Sequence, residues 1–248
     1  NLIFQVMFLD FESKEVMGTF PLWVEYIDSS EEPFEENRIV ELVGEIYSGD
    51  IPVFHDALKK RLGDIRLKSR LGSNIRLYAV VVKDSCRDQL PQRFCDGDRV
   101  SEAYRNLVAQ QASALISSTL KVAMLPYARD AANAQMAVNF SDGSQANFTI
   151  PTATFGMALE VRGFKSPIRS KKISKPGRDW MLYPAFIGLT VYEPEFQTKY
   201  FSQAISPKTG RDVAGTWVTA NRTNIDEFAL YSESLKKIII TGFLWKWC

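Results

Sequence analysis

The hydrophobic period of this chain changes at Met136. Ahead of that point Val100, Tyr104, Leu107, Val108, Ala112, Leu115, Ile116 and Leu120 recur at spacings of three and four, the stripe of one long helix. Beyond it apolar and polar residues alternate, the period of strands with one buried face. Helical and extended stretches that keep to separate parts of a chain define the α+β class. The expected fold has an N-terminal half of mixed strands and helices, a long central helix, and a C-terminal half that is mostly antiparallel sheet.

Residues 2–11 are almost continuously apolar, which predicts a strand buried on both faces. A second strand is expected over 20–27, and an acidic, solvated loop with Pro33 over 29–36. Ile39, Leu42, Val43 and Ile46 predict a helix over 35–47, and Pro52 is placed to open another over 53–62. Ile75 to Val82 reads as a central strand. Asp98 is the expected cap of the long helix, Pro126 its end, and the Ala-rich stretch 127–135 a further short helix. Asp142-Gly143 predicts the turn of a β-hairpin over 137–150. Further strands are expected over 153–161, 185–192, 216–220 and 236–245. At 248 residues the chain is read as a single domain, with 1–96 and 97–248 as its two lobes should it divide.

The net charge of +1 hides a separation of sign. Residues 10–50 carry twelve carboxylates against Lys14 and Arg38, a balance of −10, and residues 51–80 reverse it to +5. A second basic run, Arg162, Lys165, Arg169, Lys171, Lys172, Lys175 and Arg178, lies among Pro167, Pro176 and Gly177 and reads as a loop. Such a loop can grip an acidic protein surface or phosphates. Only Phe164 and Trp180 flank it for base stacking, so a protein partner is preferred and nucleic acid is not expected.

Cys86 and Cys95 bracket a polar stretch with Pro91, and a turn there could close a disulfide. Bridges accompany exported proteins, so this pair predicts a chain outside the cytosol, periplasmic or secreted. Cys248 is left over. Asn1 stands without an initiator Met or a charged-then-apolar leader, which reads as a processed or trimmed product. The apolar runs fall far short of the roughly 20 residues of a membrane-spanning helix. Asn139, Asn147 and Asn221 match the glycosylation acceptor pattern, a weak signal.

Catalytic patterns are scarce. The single histidine, His55, precedes Asp56 on a helix, and neighbours in a helix point in different directions, so spacing does not make them a base and its orienter. Three Cys and one His do not make a zinc site. No phosphate loop, nucleophile elbow or H-E-x-x-H helix is present. No cofactor or metal is expected. The sequence therefore points to a non-catalytic binding or structural subunit of a larger extracytoplasmic assembly, such as one in a bacterial envelope, with other protein subunits as partners in a homo- or hetero-oligomer. Two other classes remain open: a carboxylate-based hydrolase, and a binder of nucleic acid or anionic surfaces through the basic clusters 59–76 and 162–178.

Overall fold

β1 (Leu2–Asp10) and β2 (Glu15–Val24) form an antiparallel hairpin whose register sets Val6 opposite Phe20 and Phe8 opposite Gly18. α1 (Glu36–Ser48) and α2 (Val53–Leu62) follow, then β3 (Ile75–Val82). Two 3-10 turns lead through β4 (Cys95–Asp96) and β5 (Arg99–Val100) into α3 (Glu102–Leu120). The hairpin β6 (Gln135–Asn139) and β7 (Gln145–Thr149) comes next. β8 (Phe155–Phe164), β9 (Ile168–Lys175), β10 (Arg178–Glu193), β11 (Thr198–Ile205) and β12 (Gly215–Thr219) complete the strands, and α4 (Glu227–Trp247) ends the chain. This computed structural model describes residues 2–24, 36–63, 65–67, 73–127, 135–175, 178–205, 215–219 and 226–247. The class is α+β, as the segregated periods imply.

The smaller sheet has the order β1-β2-β7-β6, its halves joined by a parallel bridge from Glu15 to Thr149. Phe4, Val6 and Phe8 of β1 pack with Phe20, Leu22 and Val24 against Ile46 and Leu42 of α1 and Phe54 of α2. Met7 and Leu9 lie with the cluster on the other side, around Val16, Phe148 and Ile150. β1 contributes apolar residues to both clusters but is only partly buried, with Gln5 exposed, so the expected burial on both faces is not reached at this sheet edge.

β10 is the spine of the larger sheet. Its first half pairs with β9 and β12, and its second half with β8 and β11. β8 in turn pairs in parallel with β3. One face of this sheet packs on α3 and α4, where Leu77, Val80, Leu159, Val161, Ile187 and Leu189 meet Val108, Ala112, Ile116, Leu235 and Ile238 in the main core. The two sheets are stitched together by residues 122–125. Thr19 of β2 exchanges backbone hydrogen bonds with Met124, and the Leu125 amide donates to the carbonyl of Ile75 on β3.

Several expectations are corrected. The strand expected over 236–245 is the second half of α4. Its β-branched run Ile238-Ile239-Ile240 suggests a strand, but Tyr231, Ser234, Leu235 and Ile238 are all buried at helical spacing, and Asp226 caps the helix by accepting from the Ala229 amide at 3.1 Å. The central helix starts at Glu102, where Ser101 accepts from the Tyr104 amide at 3.3 Å, while Asp98 pairs with Arg87 at 3.1 Å in the preceding turn. The basic run is a strand: Ile168–Lys175 is β9, hydrogen-bonded to β10. β11 carries too weak an alternation to be read from sequence. Most of the expected loop over 29–36, residues 128–134 of the expected helix over 127–135, and Asn221 lie outside the described residues. Among the described residues no helix is long and apolar enough to cross a membrane.

Candidate docking face

The larger sheet buries one face in the core and leaves the other open along β8, β10 and β11. Alternation does this directly: Met157, Leu159 and Val161 point inward, and Ala158, Glu160 and Arg162 outward. The outward residues are short where the three strands run side by side. Ala158, Gly188, Thr190, Ser202 and Ala204 line a trough of about 180 Å³, walled by Val81, Glu160 and Arg162. A second cavity of about 300 Å³ adjoins it, sharing Arg162 and Ala204, and is lined also by Gly163, Lys165, Phe186 and Ile205. Gly163 sits at a register shift between β8 and β10 with φ +150°, a conformation that side chains rarely adopt.

The charge on this face is mostly positive. Glu160 is shared by Lys83 at 3.2 Å and Arg162 at 3.5 Å. All three side chains are partly exposed, so the network contributes little stability. Lys165 holds its ammonium 5.1 Å from the centre of the Phe186 ring. Arg169 is exposed at the start of β9. Lys171, Lys172 and Lys175 follow along β9, and Arg178 opens β10 opposite Lys175. The basic residues picked out by sequence therefore spread over consecutive strands: Arg162 on β8 and Lys165 just after it border the second cavity, while Arg169, Lys171, Lys172, Lys175 and Arg178 belong to the β9–β10 hairpin.

The first basic cluster divides differently. Lys59, Lys60 and Arg61 form the last turn of α2, which packs on β2 of the smaller sheet. Arg76 does not join them at the surface, because it is fully buried. Its Nε donates to the Pro126 carbonyl at 2.9 Å and its guanidinium lies 4.9 Å from the Tyr78 ring centre. Neither Nη atom has a hydrogen-bond partner among the described residues. Burial draws this guanidinium below the ordinary arginine range. Sequence reasoning placed Arg76 with the solvated cations. Ile75 and Leu77 face the other side of β3, so alternation by itself sends Arg76 outward, and only the tertiary cover from Pro126 and Tyr78 withdraws it from solvent.

Comparison with known proteins shows no family. No family model matches the sequence, and no curated protein matches it. Among solved structures the chain is similar to a DUF330 protein from Xanthomonas campestris, at 8% identity over 73% of this chain and 90% of that one, with a TM-score of 0.37. It is also similar to a putative neuraminyllactose-binding hemagglutinin homolog from Helicobacter pylori, at 11% identity over 69% and 80% of the two chains, with a TM-score of 0.36. Likeness at this level carries no functional argument.

The expected bridge between Cys86 and Cys95 is not formed, and both are free thiols. The two 3-10 turns between them send the side chains to different places. Cys86 is fully buried and its Sγ faces the Val161 carbonyl at 3.8 Å, whereas Cys95 faces the Pro91 carbonyl at 3.7 Å. Burial pushes the Cys86 thiol up to about 12, so it stays protonated and unreactive at neutral pH. His55 is half-buried on α2. Its ring stands edge-on to Phe54 and covers Gly49, whose φ of +100° closes the turn between α1 and α2. Among the described residues no three His, Cys, Asp or Glu side chains group as metal ligands.

Proposed function

We propose that this chain is a non-catalytic protein-binding subunit of a larger assembly, and that it seats an acidic protein surface on the open basic face of its larger sheet. The observation that carries this reading is the imbalance of charge there. Arg162 and Lys165 line the two adjoining cavities, and the one carboxylate lining them, Glu160, is already shared by Lys83 and Arg162. A positive field of this kind speeds encounter with an anionic partner and fixes orientation more than it adds raw affinity. The acidic balance of −10 over residues 10–50 supplies a complement within the chain's own sequence, so a neighbouring copy or a related subunit is a fitting partner. With Cys86 and Cys95 free, an extracytoplasmic location has lost its main support, and fractionation of the native source decides it separately.

The nucleic-acid reading is the weaker one, because α2 and β9 belong to different layers and Arg76 is withdrawn from the surface. The double change Arg162→Glu and Lys165→Glu separates the two. Purified gently from its source, the wild-type chain should sediment with partner subunits. The variant should lose them, with affinity reduced by about tenfold or more and an unchanged melting temperature. Retention of the partners sinks the proposal. So does salt-sensitive binding to random oligonucleotides that the variant abolishes.

A further inference from the structure

The two cavities of the open face meet at an irregularity in the sheet. Val161 pairs with Ile187 and Gly163 with Phe186, so Arg162 is the extra residue of a β-bulge between β8 and β10. A bulge re-aims the side chain it inserts, and Arg162 lines both cavities. Gly163 sets no side chain beside its partner Phe186, and a Cβ built there would meet nothing within 4 Å. The space beside the ring is therefore open. Gly188 and Ala204, paired across β10 and β11, floor the trough next to it, so nothing bulky separates the two cavities.

Behind this opening the second cavity is chiefly apolar, walled by Phe164, Phe186, Ile187 and Ile205. Its volume of about 300 Å³ is twice the roughly 150 Å³ of an engineered apolar cavity that holds a benzene ring. Lys165 is exposed at the rim with its ammonium over the Phe186 ring, and it forms no ion pair among the described residues.

We propose that this cavity is the anchor pocket of the docking face: it takes one large apolar side chain, of the size of Phe or Leu, from the acidic segment that Arg162 and Lys165 attract. The inference rests on the acidic-partner reading and adds the source of its affinity. Exposed ion pairs contribute little by themselves, because water and salt screen them. Binding free energy is concentrated in a few side chains that fill pockets and exclude water. The apolar wall requires an uncharged anchor, since a charge buried there would lose its hydration without a partner. The cations at the rim require a carboxylate close to that anchor in the occupant's sequence. Both demands meet at Arg162, which the bulge places between trough and pocket.

Two labelled peptides test this, each a run of Asp, Glu and Ser around one central residue, which is Phe in the first and Ala in the second. They are titrated against the full chain by fluorescence polarisation at low salt. The Phe peptide is expected to bind saturably, and the Ala peptide about tenfold more weakly or worse. Ala204 is exposed and lines both cavities, so Ala204→Trp fills their junction and should weaken the Phe peptide by a similar factor. Arg162→Glu with Lys165→Glu should abolish binding of both. The peptide pair reads the cavity without altering the chain, so the comparison holds even where the tryptophan variant does not fold. Equal binding of the two peptides overturns the anchor, as does a folded Ala204→Trp variant that binds the Phe peptide unchanged. If that binding is still lost in the charge variant, the acidic-partner reading stands without the anchor. No binding by either peptide also overturns the anchor, and the reading is then decided by copurification with partner subunits. Binding to vesicles of anionic phospholipid that displaces the Phe peptide and is lost in Ala204→Trp overturns it too, and gives the cavity to a lipid.

Discussion

Arg76 is where this fold places charge against burial. A fully buried guanidinium with two nitrogens lacking a partner among the described residues costs free energy that one bond to Pro126 and a tyrosine ring only partly offset. Arg76→Met keeps the aliphatic stem and removes the orphaned donors, so it should raise stability by about 1 kcal/mol in urea unfolding. A loss of that size instead would mean that the guanidinium is paired in solution. Cys86 and Tyr231 make a prediction about pH. Burial raises the thiol from its ordinary 9.0 to about 12 and the Tyr231 hydroxyl from 10.0 to about 12. The unfolded chain gives up these protons at their ordinary values while the native chain keeps them, so the unfolded state binds fewer protons and stability falls as pH rises. These groups should leave the melting temperature level up to pH 9 and lower it from there toward 12. Cys86→Ala should shift the onset of that fall toward 10, where the tyrosine begins to contribute.

At the scale of elements, one buried hydroxyl ties α4 to two strands. Ser234 is fully buried, accepts from the Thr216 amide of β12 at 2.8 Å, and has the Tyr183 carbonyl of β10 at 2.5 Å and the Leu230 carbonyl of its own helix at 2.9 Å as acceptors. Ser234→Ala strands a buried amide, so a loss of about 1–3 kcal/mol is expected in denaturant titration. A change near zero would show that β12 finds another partner. The same helix shows the limit of local pattern. Ile238-Ile239-Ile240 favours a strand by propensity, and the spacing from Tyr231 to Ile238 favours a helix. Burial of that face against β10 and α3 decides for the helix. β9 shows the converse, since a run of cations between prolines reads as a loop until β10 supplies its hydrogen bonds.

For the whole molecule, the link made by residues 122–125 bears on how many units unfold. Thr19 and Ile75 belong to different sheets, yet both bond to this short segment, and α3 packs on β2 as well as β3. A single calorimetric transition with matching van't Hoff enthalpy is the expected outcome, and two resolved transitions would divide the chain into lobes. By itself the sequence determined what depends on neighbours in the chain: the α+β class from the change of period at Met136, α1 and α2 from their apolar spacing, and the β6–β7 hairpin. There Gly143 at φ +83° and Asp142, accepting from the Ser144 amide at 2.8 Å, form a turn that local chemistry fixes. It also marked the basic run from Arg162 to Arg178, because charge is legible without coordinates. Tertiary structure alone decided which cations remain at the surface, whether two thiols nine positions apart meet, and which apolar strand stands at an edge. Those outcomes depend on partners distant in sequence: Pro126 for Arg76, Val161 for Cys86, and for β1 the strand that the described residues leave unsupplied.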